Sequence, residues 1–534
     1  MVDSNEDPET IENKNFKGGW KKRAGELVEK GMLDKDQEDS LKKMIDSPDN
    51  ENFAVAREVV KVKLTEKFCE GLNEGQVAAF NTIIEFLRDP QHEALVLKGY
   101  AGTGKTFLVN RVIEYIAQTH PRHNIAITAP TNKAVQVLYK NSKNPNAQLF
   151  EDYFDSSSRL VYSTIHKLLG LREVITDSGE QIFRADKSSK SGLDDYKYLI
   201  VDEVSMLDDT LCKDIMKFAK KVRIIFMGDP AQIPPVKQLD SIPFRNMMKY
   251  NFLEVKLTEI MRQKQDNPIV ETSFKLRENL KEKNPIPVLT TQVNAQNHGV
   301  IWLNELTEKP KVRPLLEELF KSAQFEADSD YAKVLAWRNK TVNYVNGIIR
   351  EILYGASPDL YVAGEKLVAR KPIFHKDQRG YWKIQYNTSE ELVVESVRMQ
   401  RLQLRESSYR LDALFYMLNV KTFDLSSNRW IKDTIKIVHP NDVPAYTKIL
   451  NEVKERAILN KDYWKVYYTI LKWSADVMYN YALTAHKAQG STYTNVLLIE
   501  SDLDMNPNVV ERNRIKYTSY SRATDRLYVL RTNQ

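Results

Sequence analysis

Cysteine is nearly absent: Cys69 and Cys212 are the only two in 534 residues. Two thiols cannot build a disulfide framework or a four-thiolate zinc site. They fit a reducing, intracellular compartment. The eight histidines add no metal-ligand spacing, so structural zinc is not expected. No apolar run approaches the roughly 20 residues a membrane helix needs, and the N-terminus is acidic and polar, unlike a secretion signal. A cytoplasmic protein without a membrane span is expected. Glycine (19) and proline (20) are too few for collagen-like or Gly/Pro-rich disordered chains. Charge of one sign is also scarce. Lys plus Arg is 78 against 72 for Asp plus Glu, a mild basic excess that permits nucleic-acid binding without arguing for it. At roughly 100–200 residues per domain, the length predicts about three or four domains.

What is present is alternation. Asn73 suits the N-cap of a helix through Leu87, with Val77, Phe80, Ile84 and Leu87 on its buried stripe. Short β-branched or apolar runs follow, separated by helical stretches: 94–97, 125–128, 198–201 and 222–227. That pattern predicts parallel strands covered by helices on both faces. A second set lies at 334–337, 496–499 and 527–530. The chain thus reads as α/β, with two such domains. Residues 364–478 have a different texture: turn-punctuated strands, then an aromatic helical stretch. They read as a module inserted into the second domain. Residues 1–60 read as a charged, solvated, partly disordered extension with short helices near 26–32 and 36–45, the alternative being a docking arm for a partner or DNA. No repeat at a fixed short period is evident. The expected divisions are 1–60, 61–240, 241–363, 364–478 and 479–534.

Chemistry concentrates at Gly99-Tyr100-Ala101-Gly102-Thr103-Gly104-Lys105-Thr106. This loop stands between an apolar strand and a helix, the setting of a phosphate-binding loop. Glycines let backbone N–H groups wrap phosphates, and the next helix adds its positive end. Lys105 would reach the β- and γ-phosphates, and Thr106 would hold Mg²⁺. Asp202 and Glu203 end a buried-type strand. Two acids there are ordinarily a solvated strand end. Paired with the loop, Asp202 suits a Mg²⁺ partner and Glu203 the base that activates water. Gln232, in a Gly/Pro-rich turn after another strand, could touch both γ-phosphate and polymer. Arg262 and Arg522 are candidates for stabilising charge on the transferring phosphoryl group.

Taken in order, these segments resemble superfamily 1 helicases of the 5′→3′ branch, the RecD- and Dda-like group. The match runs from about Leu72 to the C-terminus. Asn73–Gln76 resembles the adenine-reading Q motif. Gly99–Thr106 resembles motif I, Thr128–Val135 motif Ia, Ser163–His166 motif Ib and Val201–Met206 motif II. Gly228–Val236 resembles motif III, Leu257–Gln263 motif IV, Leu483–Thr492 motif V and Tyr517–Thr524 motif VI. The resemblance implies two RecA-like domains. It also implies a β-hairpin pin inserted in the first at about 171–195, and an SH3-like β plus helical tower-and-hook insertion in the second. It implies ATP with Mg²⁺ in the cleft between the domains, with Gln76 and Gly490 among the nucleotide-side residues. It places single-stranded DNA across both domains, with Pro130, Thr131, Asn132, His166, Asn339, His486 and Gln489 as contacts. Phe183, beside the turn signal Asp177–Gly179, would meet the first base pair of a single-strand/duplex junction.

The implied function is ATP-driven 5′→3′ unwinding in replication, recombination or repair, with single-strand-binding or replication proteins as partners. A phage origin would place it in the host cytoplasm. Two alternatives stay open: a single-strand translocase that displaces proteins without processive unwinding, and an ATP-gated nucleic-acid-binding switch. A P-loop metabolic kinase fails on the second α/β domain.

Overall fold

The computed structural model describes all residues except 1–7, 30, 48, 89–90, 121–122, 143–159, 176–180, 186–191, 236–237, 246–249, 260–266, 288–289, 306, 357, 377–379, 381, 425–428 and 532–534. Asn73 accepts from the backbone N–H of Gln76 and so caps the helix Glu74–Arg88. The strands that follow form a six-stranded parallel sheet. Its order is Leu160–Thr164, Ile125–Ala129, Tyr198–Val201, Arg223–Gly228, Ala94–Gly99, Phe252–Leu257. Side chains alternate across it, as a pleated strand requires. Leu95 and Leu97 join the core under helices Glu74–Arg88 and Lys105–Thr119, whereas Ala94 and Val96 join the opposite core around Leu211 and Ile215. The inner strands Ala94–Gly99, Ile125–Ala129, Tyr198–Val201 and Arg223–Gly228 are thus buried on both faces, which explains the unbroken apolar runs in the sequence.

A second six-stranded sheet has the order Ala482–Thr484, Ala332–Ala336, Tyr493–Ile499, Ala523–Arg531, Gly299–Asn304, Gln292–Val293. All neighbours are parallel except the last pair. Ala332–Ala336 therefore lies between two strands that follow the insertion in sequence. Tyr481, Val496, Val529 and Val334 share one core. The inserted residues form a five-stranded antiparallel sheet with two 16-residue strands, Glu391–Glu406 and Tyr409–Asp424. Helices Val443–Leu459 and Tyr463–Leu471 cover the ribbon through Val453 and Ile470, joined by Trp473 just beyond the second helix, against Leu411, Ala413 and Phe415.

The N-terminal region differs from the solvated extension expected. Helices Pro8–Glu29, Lys35–Asp46 and Asn50–Cys69 pack together and against the first domain. Trp20, Leu27, Ile45, Val60 and Leu64 are buried in the same core as Phe80, Val112 and Ile116. Trp20, Ala24 and Leu27, like Ala56, Val60 and Leu64, recur at three- and four-residue spacing and make one buried stripe. Among the described residues no helix is long and apolar enough to cross a membrane.

Candidate nucleotide and strand site

The phosphate-loop residues sit at the C-terminal end of Ala94–Gly99, where a parallel sheet presents its ligands. Gly102 and Gly104 have φ of 86° and 77°, the left-handed region that glycine enters without strain. A Cβ on Gly99 would lie 2.7 Å from Thr103 Oγ1 and 2.9 Å from Lys105 Cγ, so the loop leaves no space for one. Lys105 Nζ donates to the carbonyls of Gly99 (2.6 Å) and Tyr100 (3.0 Å). Thr106 follows in the first turn of the helix Lys105–Thr119.

Gln76 is 1% exposed. Its Nε2 donates to the Thr103 carbonyl (3.2 Å), and its Oε1 accepts from Asn73 N–H (3.2 Å). It ties the helix cap to the phosphate loop.

The two carboxylates stand beside the loop. Asp202 N–H donates to Thr128 O (2.8 Å), extending the strand pairing by one residue. Its Oδ1 accepts from Glu203 N–H (2.7 Å). Glu203 has φ 52°, rare for a residue with a Cβ and a mark of local strain. Burial pushes the Asp202 carboxyl up to about 7, reinforced by Glu203 and opposed by Lys105. Burial also raises Glu203, against Arg522 and then Lys105. Charges from both domains, Arg522 and Lys105, thus bear on Glu203. An Asp202 carboxylate short of donors, with the Thr106 hydroxyl, offers the hard oxygen ligands that Mg²⁺ prefers.

The second domain closes over this face. Arg522 is 4% exposed. It donates to Ser491 O (2.9 Å), Thr518 O (2.8 Å) and Ser521 Oγ (2.9 Å). Gly490 has φ 77°, and a Cβ there would lie 3.1 Å from Ala134 Cβ and 3.6 Å from Glu203 Cγ. Gln489, expected as a strand contact, is 4% exposed. Its Nε2 donates to Ser205 Oγ (3.0 Å), Ile233 O (3.2 Å) and Gln232 Oε1 (3.3 Å). It therefore bridges the two domains at the side chain of Gln232.

Sequence reasoning assigned no role to Asp229 or Tyr517, although both lie inside the quoted motifs. Tyr517 Oη donates to Asp229 Oδ2 at 2.5 Å across the cleft. Ala101 N–H, in the phosphate loop, points at both groups (3.2 and 3.3 Å). A cavity of about 750 Å³ opens beside them, lined by Tyr100, Ala101, Phe274, Arg277, His298 and Tyr517. The Arg277 guanidinium lies 3.4 Å over the Tyr100 ring.

The strand candidates divide. Pro130, Thr131 and Asn132 are half-buried at the junction of Ile125–Ala129 and the helix Asn132–Ser142. Asn339 is exposed at the start of Asn339–Tyr354. Asp502 fixes that turn by accepting from Trp337 N–H and Arg338 N–H, each at 2.8 Å. His166 and His486 occupy matching places. Each sits on a four-residue helix after an edge strand, capped by the Thr164 or Thr484 hydroxyl accepting from Lys167 or Lys487 N–H. Burial pushes both imidazoles below their usual range. The shared Thr-x-His-Lys string is visible in the sequence, 320 residues apart, but at no short period.

Leu171–Ile175 and Gln181–Ala185 pair antiparallel, with Phe183 opposite Glu173. The turn between them, 176–180, lies outside the described residues, as does Arg262.

Two family models match the chain: an AAA domain over residues 71–296 and a UvrD-like helicase C-terminal domain over 479–530. The uncharacterised protein R530 of Acanthamoeba polyphaga mimivirus is 27% identical over 503 residues, spanning 85% of this chain and 99% of that one. The ATP-dependent DNA helicase dda of Enterobacteria phage T4 is 27% identical over 308 residues, spanning 57% of this chain and 62% of that one. The RecBCD enzyme subunit RecD of Buchnera aphidicola from Acyrthosiphon pisum is 24% identical over 493 residues, 87% of this chain and 74% of that one. The Pif1 helicase structure from Candida albicans is a remoter likeness, at 14% identity and TM-score 0.44 over 86% of this chain and 94% of that one, too weak to bear on function. With ordered motifs on two α/β domains and matches spanning most of the chain, this protein belongs to the superfamily 1 helicases of the Dda/RecD type.

Proposed function

We propose that this chain is an ATP-dependent DNA helicase that moves 5′→3′ along single-stranded DNA and opens the duplex ahead of it. One observation carries the reading. The first domain, which carries the phosphate loop and the Asp202–Glu203 strand end, meets the second at one face, where Tyr517 bonds Asp229, Gln489 bonds Ser205 and Gln232, and Gly490 lies against Ala134.

The mechanism follows from these groups. The loop amides and Lys105 bind the triphosphate of ATP, and Gln76 holds the loop in shape. Thr106 and Asp202 are the residues that would hold Mg²⁺, which neutralises phosphate charge when bound. Glu203 orients the attacking water and accepts its proton. Arg522, joined by Arg262, stabilises charge on the transferring phosphoryl group, which couples hydrolysis to closure of the cleft. Gln232 and Gln489 bond to each other across the domain interface, so a γ-phosphate held by Gln232 would, when lost, alter contacts on both sides. Cleft opening and closing then become stepping, provided the two domains hold the strand with alternating strength. Pro130, Thr131, Asn132 and His166 hold it from one domain, and Asn339 and His486 from the other. Short polar groups grip a backbone without reading sequence. The antiparallel pair around Phe183 is the wedge at the junction, and Phe183→Ala would lower unwinding per ATP. Single-strand-binding or replication proteins are the expected partners, in the cytoplasm of the cell or of a viral host.

The test is Mg²⁺-ATP hydrolysis with and without single-stranded DNA. Strong stimulation, lost in Lys105→Ala, supports the motor. Hydrolysis indifferent to DNA leaves only a nucleotide switch.

A further inference from the structure

The turn that carries the strand candidates Thr131 and Asn132 runs on into Lys133. Lys133 is 8% exposed. Its Nζ lies 2.8 and 2.9 Å from the two Asp330 oxygens and 3.0 Å from Glu391 Oε1. The three residues belong to three bodies. Lys133 lies in the first turn of the helix Asn132–Ser142 of the first domain. Asp330 sits in the turn before Ala332–Ala336 of the second sheet. Glu391 starts the long ribbon of the insertion.

The surroundings make this one ammonium hard to replace. Lys140 approaches Asp330 only at 3.6 Å and from an exposed position. Lys333, buried beneath, donates to Asn480 O and lies 5.3 Å from the Tyr493 ring centroid. Removing Lys133 would leave two carboxylates facing each other in a half-buried joint, which is far costlier than losing a surface pair. The Lys133 and Lys333 charges hold Glu391 well below the usual carboxylate range despite its burial.

The same turn touches the nucleotide side. Ala134, the next residue, is the atom group that Gly490 approaches, and Gly490 lies against Glu203. Four consecutive residues thus include two strand candidates, the ammonium that meets the second domain and its insertion, and the alanine packed on Gly490.

We propose that Lys133 is a positioning residue that ties the strand-gripping turn of the first domain to the second domain and its insertion, so that nucleotide-driven movement between domains is delivered to the held strand. The proposal rests on the helicase reading above. Lys133 does not touch the reacting atoms, so its loss leaves hydrolysis running and lowers the work obtained from it.

The experiment uses the full chain and compares wild type, Lys133→Met and the charge swap Lys133→Glu with Asp330→Lys. Hydrolysis is measured without and with a saturating oligonucleotide, and base pairs opened per ATP on a 5′-tailed fork. Methionine keeps the buried aliphatic stem. Lys133→Met is expected to keep basal hydrolysis within twofold and DNA-stimulated kcat within threefold. Base pairs opened per ATP are expected to fall at least fivefold. The swap is expected to restore at least half of the lost coupling. Unchanged coupling in Lys133→Met, or hydrolysis and unwinding falling in parallel, overturns the proposal. If Lys133→Met does not fold, Glu391→Gln decides by the same ratio: a fall in coupling supports the tie and an unchanged ratio overturns it. A wild type that opens no duplex from the fork refutes the helicase reading itself, an outcome distinct from a wild type that unwinds and a variant that matches it.

Discussion

Tyr517→Phe removes one oxygen atom, and the structure says what that atom does. Its hydroxyl donates to Asp229 at 2.5 Å across the domain cleft, beside Ala101 N–H of the phosphate loop. Phenylalanine keeps the ring in its buried site. Asp229 keeps two donors, Ala101 N–H at 3.2 Å and Ala231 N–H at 2.9 Å, so no carboxylate is orphaned in the first domain. A hydrogen bond to a charged group contributes about 1.5–3 kcal/mol. With the remaining donors in place, the lower end applies. At about 1.4 kcal/mol per decade, the closed arrangement is disfavoured roughly tenfold. Burial and the neighbouring Asp229 charge push the Tyr517 hydroxyl well above its ordinary range, so it stays a donor throughout the working pH range. Steady-state hydrolysis with saturating single-stranded DNA reads the effect. The kcat is expected to fall about tenfold, with KM for ATP changing less than about threefold, because the loop's own phosphate donors remain. A variant with kcat within twofold of wild type would refute the claim that this contact belongs to the working interface.

Glu203→Gln keeps the shape of the site and removes the base, so hydrolysis is expected to drop by about 10²–10⁴ while nucleotide affinity, read by fluorescent-analogue titration, is retained. Gly490→Ala forces a Cβ into a left-handed position 3.1 Å from Ala134 Cβ, a cost of about 1–2 kcal/mol before any clash. A lower Tm and weakened hydrolysis are expected, and a variant equal to wild type in both would show that the interface yields freely. Glu391→Gln tests the buried joint through pH. The native carboxyl is depressed by Lys133 and Lys333, so its stabilisation is full above the unfolded value of about 4.3 and fades as pH falls through the native one. The Tm gap between wild type and variant is expected to be constant above about pH 5.5 and to close below it; a gap that widens in acid would contradict the assignment.

The phosphate loop was legible because phosphate chemistry demands particular residues at fixed spacing, and Gly102 and Gly104 occupy the backbone region that spacing implies. The strands were legible because burial on both faces leaves unbroken apolar runs. Of the N-terminal helices, Lys35–Asp46 was legible as 36–45, but the packing of the three was not, since the charged residues between Trp20, Ala24 and Leu27 dilute a stripe that only becomes visible once it is packed. The cross-domain groups were legible as residues and not as partners. Gln489 reads as a strand contact, yet it reaches Ser205 and Gln232 more than 250 residues earlier. Nothing local in a sequence encodes that approach; it follows from how the two sheets face each other. Lys133 was passed over for the same reason, because its charge gains meaning only from Asp330 and Glu391.

The account stands or falls on strand separation coupled to the loop lysine. Forks carrying either a 5′ or a 3′ single-stranded tail would be incubated with Mg²⁺-ATP and wild type or Lys105→Ala, and the released strand followed in time. Unwinding from the 5′-tailed fork alone, abolished in Lys105→Ala, is the predicted result. Hydrolysis without strand release from either fork, or release that survives in Lys105→Ala, would contradict it.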